Sequence, residues 1–65
     1  MIGNRVDETG TLLSDGGVFY LRRDLGGRYR LELNRPPVDL VEHRVRLIGT
    51  FVGPELVHAD GVDPA

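Results

Sequence analysis

Cysteine, lysine and tryptophan are all absent from this chain of 65 residues. Without cysteine, the chain has neither a disulfide framework nor a thiolate metal site. It also lacks a long uninterrupted apolar run, although 40% of its residues are hydrophobic. A transmembrane helix and the core of a signal peptide both need such a run. We therefore expect a soluble, cytoplasmic protein that does not associate with a membrane.

The chain also lacks a large excess of basic over acidic residues. Ten acidic residues outnumber eight basic residues, for a net charge of −2 at pH 7, and every basic residue is an arginine. Between positions 22 and 46, however, seven arginines stand against four acidic residues, a local charge of +3 (seven minus four). This polarity is mild compared with the balance of a dedicated nucleic-acid binder.

The chain is long enough for one domain, residues 1–65, and is near the lower limit at which a single core holds a fold. Residues 1–8 are expected to be loosely ordered, and residues 63–65 to form a tail. Nine glycines and four prolines divide the rest into short segments, which favours β structure.

The first hairpin is predicted from an Asp-Gly pair between two apolar runs. Asp15-Gly16 is typical of a two-residue type I′ loop, in which both central residues need positive φ. With this loop, Leu12 lies opposite Phe19, and both side chains face the core.

The second hairpin leads into a third strand in which apolar and charged residues alternate from Tyr29 to Leu33. A three-residue turn, Leu25-Gly26-Gly27, pairs Leu21 with Leu31, and a five-residue loop is the alternative register. Either register keeps the apolar side chains on one face, as cross-strand partners require.

The second half of the chain predicts a short connection and two more strands. The prolines at 36 and 37 end the third strand, because proline cannot donate to a ladder, and residues 38–43 then form one helical turn. The fourth strand has three inward apolar residues and Gly49 at an inward position where a barrel strand bends. Gly53-Pro54 turns the chain into a fifth strand over residues 56–62. The inward residues of the fourth strand are Val45, Leu47 and Phe51.

Three meandering strands, a helical turn and a final hairpin predict an all-β fold. This order matches a small five-stranded Greek-key barrel of the OB-fold type, with one short helical turn between strands 3 and 4. An SH3-like barrel is the alternative, but its helical turn is expected later, between the last two strands.

Three motifs span the chain from Gly10 to Ala65: G-T-L-L-x5-F-x-L-R-R-D-x-G-G-x-Y-x-L, then H-R-V-x-L-I-G-T, and finally A-D-G-V-x-P-A. Their layout resembles a family of small bacterial OB-fold-like proteins, a domain of unknown function. The resemblance supports the fold and implies no catalytic residue.

The candidate binding residues lie on the outer face of the second hairpin: Tyr20, Arg22, Arg28 and Arg30. In either register Arg22 stands across from another arginine, and an anion would relieve that repulsion. OB-folds bind oligonucleotides on this strand 2–3 face, and Tyr20 offers a surface on which a base can stack. The alternative interpretation is a solvated face in which Asp24 and Glu32 neutralise the arginines.

Aromatic residues are scarce for a nucleic-acid binder. Only Tyr20 is predicted to point outward, whereas Phe19, Tyr29 and Phe51 point inward. Single-stranded nucleic-acid binders combine a positive groove with several stacking aromatics. Nucleic-acid binding is therefore the alternative function here, not the first.

Residues that could carry catalysis or hold a metal are few. His58-x-Asp60 is a polar pair on one strand face, but a metal needs three or four ligands and His43 is the other histidine. Ser14 precedes a turn, where serine commonly bonds to the local backbone. We therefore expect no enzymatic activity, no cofactor and no metal.

The first functional hypothesis is a non-catalytic OB-like binding or assembly module with an unidentified protein partner or a second copy of itself. A partly open barrel has a strand edge that can pair with another chain, and Ile48, Leu56 and Val62 are predicted to point outward. Self-association would also stabilise a domain this small. The alternative is weak single-stranded nucleic-acid binding through the arginine-rich hairpin.

Overall fold

A computed structural model describes residues 3–35 and 37–65 of the chain. A three-stranded meander, a final hairpin and a 3₁₀ turn account for its regular structure. The five strands are β1 (Arg5–Asp15), β2 (Val18–Arg23), β3 (Arg28–Glu32), β4 (Arg44–Gly53) and β5 (Leu56–Pro64), and the 3₁₀ turn covers Val38–Leu40.

The strands form one closed barrel in the order β1-β2-β3-β5-β4. The β3–β5 pair is parallel and every other pair is antiparallel. The predicted fold class is confirmed: an all-β, five-stranded OB-like barrel with one helical turn between strands 3 and 4. The SH3-like alternative requires a helical turn between the last two strands. Here a tight turn at Pro54-Glu55 joins them instead.

The barrel is filled by apolar side chains contributed by all five strands. No polar or charged residue of the described chain is buried. The radius of gyration is 10.3 Å, close to the ~11 Å expected for a folded chain of this length. The buried core residues are Val6, Leu12, Phe19, Leu21, Leu31, Val45, Leu47, Val57 and Ala59.

The first hairpin uses Gly16-Gly17 as its two-residue loop, so the predicted Asp15-Gly16 loop is wrong. Both glycines have positive φ, 58° and 85°, as a type I′ turn requires, and Asp15 pairs with Val18. Two glycines adopt this conformation without the steric cost that an aspartate bears. The pairing therefore shifts by two residues, and Leu12 lies opposite Leu21.

The second hairpin adopts the five-residue alternative, so the predicted three-residue turn is wrong. Arg22 pairs with Arg28, and Leu21 pairs with Tyr29. The backbone N–H of Asp24 donates to the carbonyl of Thr9 on β1, at 3.1 Å. The turn is closed by the N–H of Arg23, which donates to the carbonyl of Gly27 at 2.9 Å, so Arg23 and not Asp24 bonds across the hairpin.

The chain between β3 and β4 is short and mostly irregular. β3 ends at Glu32, before the two prolines, and the 3₁₀ turn lies within the predicted residues 38–43. Pro36, which was predicted to help end the strand, lies outside the described residues. Leu40 and Val41 pack against the core, so this connection covers one part of the barrel.

Gly49 occupies a buried, inward position of β4 beside a bulge in β5, in agreement with the predicted bend. A Cβ at Gly49 would lie against the carbonyl oxygen of His58 and 2.8 Å from Cγ1 of Val57. Opposite it, the pairing shifts by one residue, which leaves Asp60 as the extra residue of β5. This bulge reverses the later alternation and packs Val62 against the core, so the prediction that Val62 points outward is wrong.

Both ends of the chain are more regular than the sequence predicts. Residues 5–8, expected to be loosely ordered, form the start of β1 and pair with β4. β5 continues to Pro64, which lies opposite Val45, and the N–H of Ala65 donates to the carbonyl of Arg44 at 3.0 Å. The predicted tail is therefore part of the barrel, because β4 is long enough to pair with it.

Candidate functional site

All four predicted binding residues lie together on the outer surface of β2 and β3. Tyr20 lies opposite Arg30, and Arg22 lies opposite Arg28. The three arginines are exposed and Tyr20 is half-buried. We refer to these four residues as the cationic face.

The arginines of this face differ from most others in the chain. Four arginines form salt bridges elsewhere on the barrel, whereas Arg22, Arg28 and Arg30 form none within residues 3–35 and 37–65. The cationic face therefore carries three charges without a carboxylate partner. The four paired arginines bind as follows: Arg5 to Asp60 at 2.7 Å, Arg23 to Glu8 at 3.0 Å, Arg44 to Asp24 at 2.6 Å, and Arg46 to Asp7 at 2.6 Å.

The two acids expected to neutralise the hairpin form no ion pair with its outward arginines. Asp24 accepts hydrogen bonds from Nε and Nη2 of Arg44, at 3.1 and 2.6 Å, and this contact raises the pKa of Arg44. Glu32 Oε1 lies 3.7 Å from Nδ1 of His58. Neither acid forms a salt bridge with Arg22, Arg28 or Arg30, so the predicted ion pairs are absent, although Glu32 remains exposed on β3 two residues from Arg30.

Tyr20 is held by one of the arginines of its own face. Cζ of Arg28 lies 4.9 Å from the centroid of the Tyr20 ring, within range of a cation–π contact. This contact places the guanidinium of Arg28 over the ring. A base that stacks on Tyr20 must therefore use the free part of the ring or slide beneath Arg28.

Two shallow depressions cross the cationic face and share Arg30. The first, of about 240 Å³, is lined by Tyr20, Arg28, Arg30 and the β4–β5 turn residues Pro54 and Glu55. Glu55 has a φ of 56°, and its carbonyl accepts the N–H of Arg30 at 2.8 Å, so this turn is fixed against β3.

The second depression, of about 360 Å³, runs from the β1–β2 turn at Gly17 to Leu33 and Leu56. The face is therefore bordered by the β1–β2 and β4–β5 turns. These are the two loops that flank the ligand in OB-folds that bind oligonucleotides.

A half-buried polar cluster, which the sequence analysis missed, lies at inward positions of the barrel. Glu8 accepts hydrogen bonds from Nε of Arg23 at 3.0 Å and from the hydroxyl of Tyr29 at 2.9 Å. The Arg23 guanidinium also lies 4.8 Å from the centre of the Tyr29 ring, and Tyr29 meets Phe51 edge-on at 5.1 Å. Burial and the Glu8 carboxylate raise the pKa of Tyr29.

The sequence did hold a signal for this cluster. The alternation that points Leu21 inward also points Arg23 inward, and an inward arginine needs a partner. The exposed fractions of the Arg23 and Glu8 side chains are 27% and 19%, lower than in any other arginine–carboxylate pair of the described residues. The cluster ties β1, β2 and β3 together and explains why Arg23 does not contribute to the cationic face.

The histidines do not come together. His58 lies on β5 between Glu32 and Asp60, whose carboxylate oxygens are 3.7 and 3.9 Å from its ring nitrogens. His43 is exposed in the chain before β4, where its carbonyl accepts the N–H of Leu12. In residues 3–35 and 37–65 there is no group of three potential metal ligands. The expectations of no metal, no cofactor and no enzymatic activity stay predictions.

The barrel and its face define a class of protein: a small OB-like barrel with unpaired cations on the strand 2–3 surface. Residues 9–65 match the family described as "Protein of unknown function (DUF5818)", and the chain belongs to this family. The predicted resemblance to a domain of unknown function is thereby confirmed. No curated protein and no solved structure matches the chain. Within the described residues, no helix has the length and apolar character needed to cross a membrane.

Proposed function

We propose that this protein is a non-catalytic binding module of the cytoplasm whose ligand is single-stranded nucleic acid. One observation carries the proposal: Arg22, Arg28 and Arg30 share one face with Tyr20 and have no carboxylate partner among the described residues. Three arginines without partners on neighbouring strands favour an anion, and the adjacent tyrosine favours an anion that carries flat rings.

Phosphate groups fit the arrangement of charge. Arg22 and Arg28 are direct cross-strand partners, and like charges in that position destabilise a sheet. A phosphate between them accepts hydrogen bonds from both guanidinium groups and converts repulsion into attraction. Successive phosphates along a strand can then reach Arg30, which lies next to the β4–β5 turn.

A single strand suits this face better than a duplex. Bases that stack on Tyr20 must be unpaired and accessible, and each such contact contributes about 1–3 kcal/mol. The other aromatic residues serve the core: Phe19 is buried, and Tyr29 and Phe51 pack against it. With one stacking residue and three cations, we expect weak binding that depends strongly on ionic strength.

The acidic remainder of the chain restricts where the ligand can bind. The net charge is −2; outside the cationic face four of the five arginines pair with carboxylates, whereas six of the ten acidic residues form no salt bridge with an arginine of the described residues. A polyanion is therefore attracted to the cationic face and repelled from most of the remaining surface.

Backbone amide chemical shifts test the proposal directly. The protein is titrated with short oligo-dT and oligo-U at low and at moderate salt. We expect shifts confined to residues 20–32 and the turns at 16–17 and 53–55, weakened by salt and reduced in Arg22→Ala. Arg46→Ala is the matched control, because it removes an arginine that is paired with Asp7 away from this face.

Two results contradict the proposal. One is an absence of shifts at low salt with either oligonucleotide. The other is equal loss of binding in Arg22→Ala and Arg46→Ala, because this would show a general effect of charge and not a site.

A further inference from the structure

The larger depression, which begins at the β1–β2 turn, adjoins the cationic face but differs from it in composition. Of the described residues that line it, Arg30 is the one cation and Glu32 is the one acid. We refer to it as the turn depression. Its walls suit an apolar part of a ligand and not a second phosphate group. The apolar lining residues are Val18, Phe19, Leu31, Leu33 and Leu56.

Arg30 joins the turn depression to the smaller depression beside Tyr20. The two depressions have Arg30 in common and share no other described residue. On β2 the partner of Arg30 is Tyr20, and on β5 its partner is Leu56. A phosphate group held by Arg30 therefore has the Tyr20 ring within one depression and the apolar wall of the other beside it. Because a phosphodiester links two nucleosides, two consecutive bases fit this arrangement.

The turn depression has the size and the lining of a site for a small flat ring. Its volume is about 360 Å³, within the range of about 300–1,000 Å³ for small-molecule sites. Phe19 and Leu31 are buried, and Leu33 and Leu56 are half-buried, so its floor belongs to the barrel itself. A nucleobase has apolar faces and a polar edge, which matches apolar walls with one polar group among them.

That polar group, Glu32, has both carboxylate oxygens available to a ligand. Glu32 accepts no hydrogen bond from another side chain of residues 3–35 and 37–65. Nδ1 of His58 lies 3.7 Å from its Oε1, which is beyond hydrogen-bonding distance. A carboxylate repels the phosphates of a nucleic acid. It favours binding only where the base offers N–H donors, because such charge-assisted hydrogen bonds are strong.

The bases differ in the donors that they offer to a carboxylate. Guanine has two adjacent donors, N1–H and the 2-amino group, which match the two oxygens of Glu32. Cytosine and adenine each have one amino donor beside an acceptor nitrogen. Thymine and uracil have one N–H between two carbonyl oxygens, which a carboxylate repels. Guanine is therefore the base that suits Glu32 best.

We propose that the turn depression receives a guanine base of the single-stranded ligand, and that Glu32 selects this base by accepting hydrogen bonds from N1–H and the 2-amino group. The phosphate beside this guanosine lies against Arg30, and the base of the neighbouring nucleotide stacks on Tyr20. The inference rests on the proposed function, because it specifies the sequence that the cationic face prefers.

The test compares the affinities of single-stranded heptanucleotides for the full chain. One contains thymine only, and two others have guanine or hypoxanthine at the central position. A single guanine per strand prevents four-stranded assemblies, and hypoxanthine lacks only the 2-amino group. We expect the guanine strand to bind about tenfold more tightly than the thymine strand, with hypoxanthine between them. Guanine should also enlarge the amide shifts of residues 17–19 and 31–33.

Glu32→Gln provides the matched measurement on the protein. A glutamine amide offers one acceptor and one donor, which suit N3–H and O4 of thymine and no longer suit guanine. We expect the preference for guanine to fall from about tenfold to twofold or less. Glu42→Gln is the control, because Glu42 is exposed and lines neither depression, and it should leave the preference unchanged. The amide spectrum of each variant shows whether the barrel has remained folded.

The possible failures of this inference and of the proposed function are distinguishable. Equal affinity for the three strands, with shifts retained at the cationic face, would overturn the guanine site and leave the proposed function intact. No binding of any strand at low salt would overturn both. A guanine preference that survives Glu32→Gln would assign selection to another residue. If GMP alone bound as tightly as the guanine strand, the ligand would be a free nucleotide and not a strand.

Discussion

Arg22 and Arg28 lie directly opposite each other across the β2–β3 pair, and neither forms a salt bridge with a described residue. The guanidinium of Arg28 lies over the Tyr20 ring, and Arg22 is exposed to solvent. The barrel thus has a cost in stability at the place where we propose that it binds its ligand. Stability and binding should respond in opposite directions to a change at Arg22.

Substitution of Arg22 by alanine is expected to raise the free energy of unfolding, on the order of a few tenths of a kcal/mol, because it removes a like-charge cross-strand pair. Urea denaturation at low salt measures the change, and added salt should shrink it. Arg46→Ala, the control, removes an attractive pair with Asp7 and should not stabilise the protein. A destabilised Arg22→Ala would show that Arg22 contributes packing that outweighs its repulsion.

The salt dependence of oligonucleotide binding should show how many arginines of the cationic face contact phosphate groups. Single-stranded nucleic acid releases about 0.7 counterion per phosphate contact, so three contacts predict a slope of about −2 in log affinity against log salt. Arg22→Ala should reduce the slope to about −1.4 by the same relation. Fluorescence anisotropy with labelled oligo-dT at several salt concentrations gives both values. A slope near zero would contradict a phosphate contact at this face.

Gly49 should not tolerate a side chain. In Gly49→Ala, the new methyl group meets the carbonyl of His58 and Cγ1 of Val57, and the carbonyl belongs to the backbone of the paired strand. Overpacking of this kind costs about 1–3 kcal/mol, and chemical denaturation measures it. Gly61→Ala is the matched control on β5, where a Cβ meets only Asp63 Oδ2, at 3.9 Å. Equal effects at the two positions would contradict the close packing of β4 and β5 at Gly49.

Tyr29 should make the protein lose stability in alkali. Burial and the neighbouring Glu8 raise its pKa above the ordinary value of 10.0, so the folded chain retains the phenol proton longer than the unfolded chain does. Above pH 10 the unfolded state releases that proton first, and stability falls as the pH rises through the folded-state pKa. Denaturation midpoints measured from pH 8 to pH 11 follow the loss.

Tyr29→Phe should reduce the loss of folding stability at alkaline pH, because the variant lacks the titrating hydroxyl. Tyr20→Phe is the control, since it removes a hydroxyl from the outer face and leaves the Glu8–Tyr29 bond intact. If Tyr29→Phe keeps the same alkaline slope as the unmodified protein, another group is responsible for the loss.

Much of the candidate site was predictable because it depends on the alternation of inward and outward side chains along single strands. Tyr20 and Arg22 follow from Phe19 and Leu21 pointing inward, and Arg28 and Arg30 follow in the same way from Tyr29 and Leu31. A shift of the hairpin by two residues preserves these faces, so the error in the predicted register did not disturb them. The sequence therefore predicts the face on which a side chain lies more reliably than it predicts the cross-strand partner of that side chain.

The partners of the charges could not be predicted from the sequence. Asp24 was expected to neutralise the nearby arginines, but the β2–β3 loop bends toward β1 and places Asp24 beside Arg44, twenty positions away. Arg46 and Asp7 are separated by 39 positions and meet because β1 and β4 are neighbours. Ion pairs between exposed side chains depend on which strands are adjacent, and this is a property of the closed barrel.

The sequence by itself determined the number of strands, the approximate places where the chain turns, the short helical connection and the outward direction of three arginines, because all of these depend on residues close together in the chain. The tertiary structure decided the register of the second hairpin, the bulge at Asp60 that turns Val62 inward, and the short β3–β5 contact beyond which an edge stays open. It also decided which arginines are neutralised. These features arise from contacts between distant strands, which close packing of the barrel selects and local alternation does not specify.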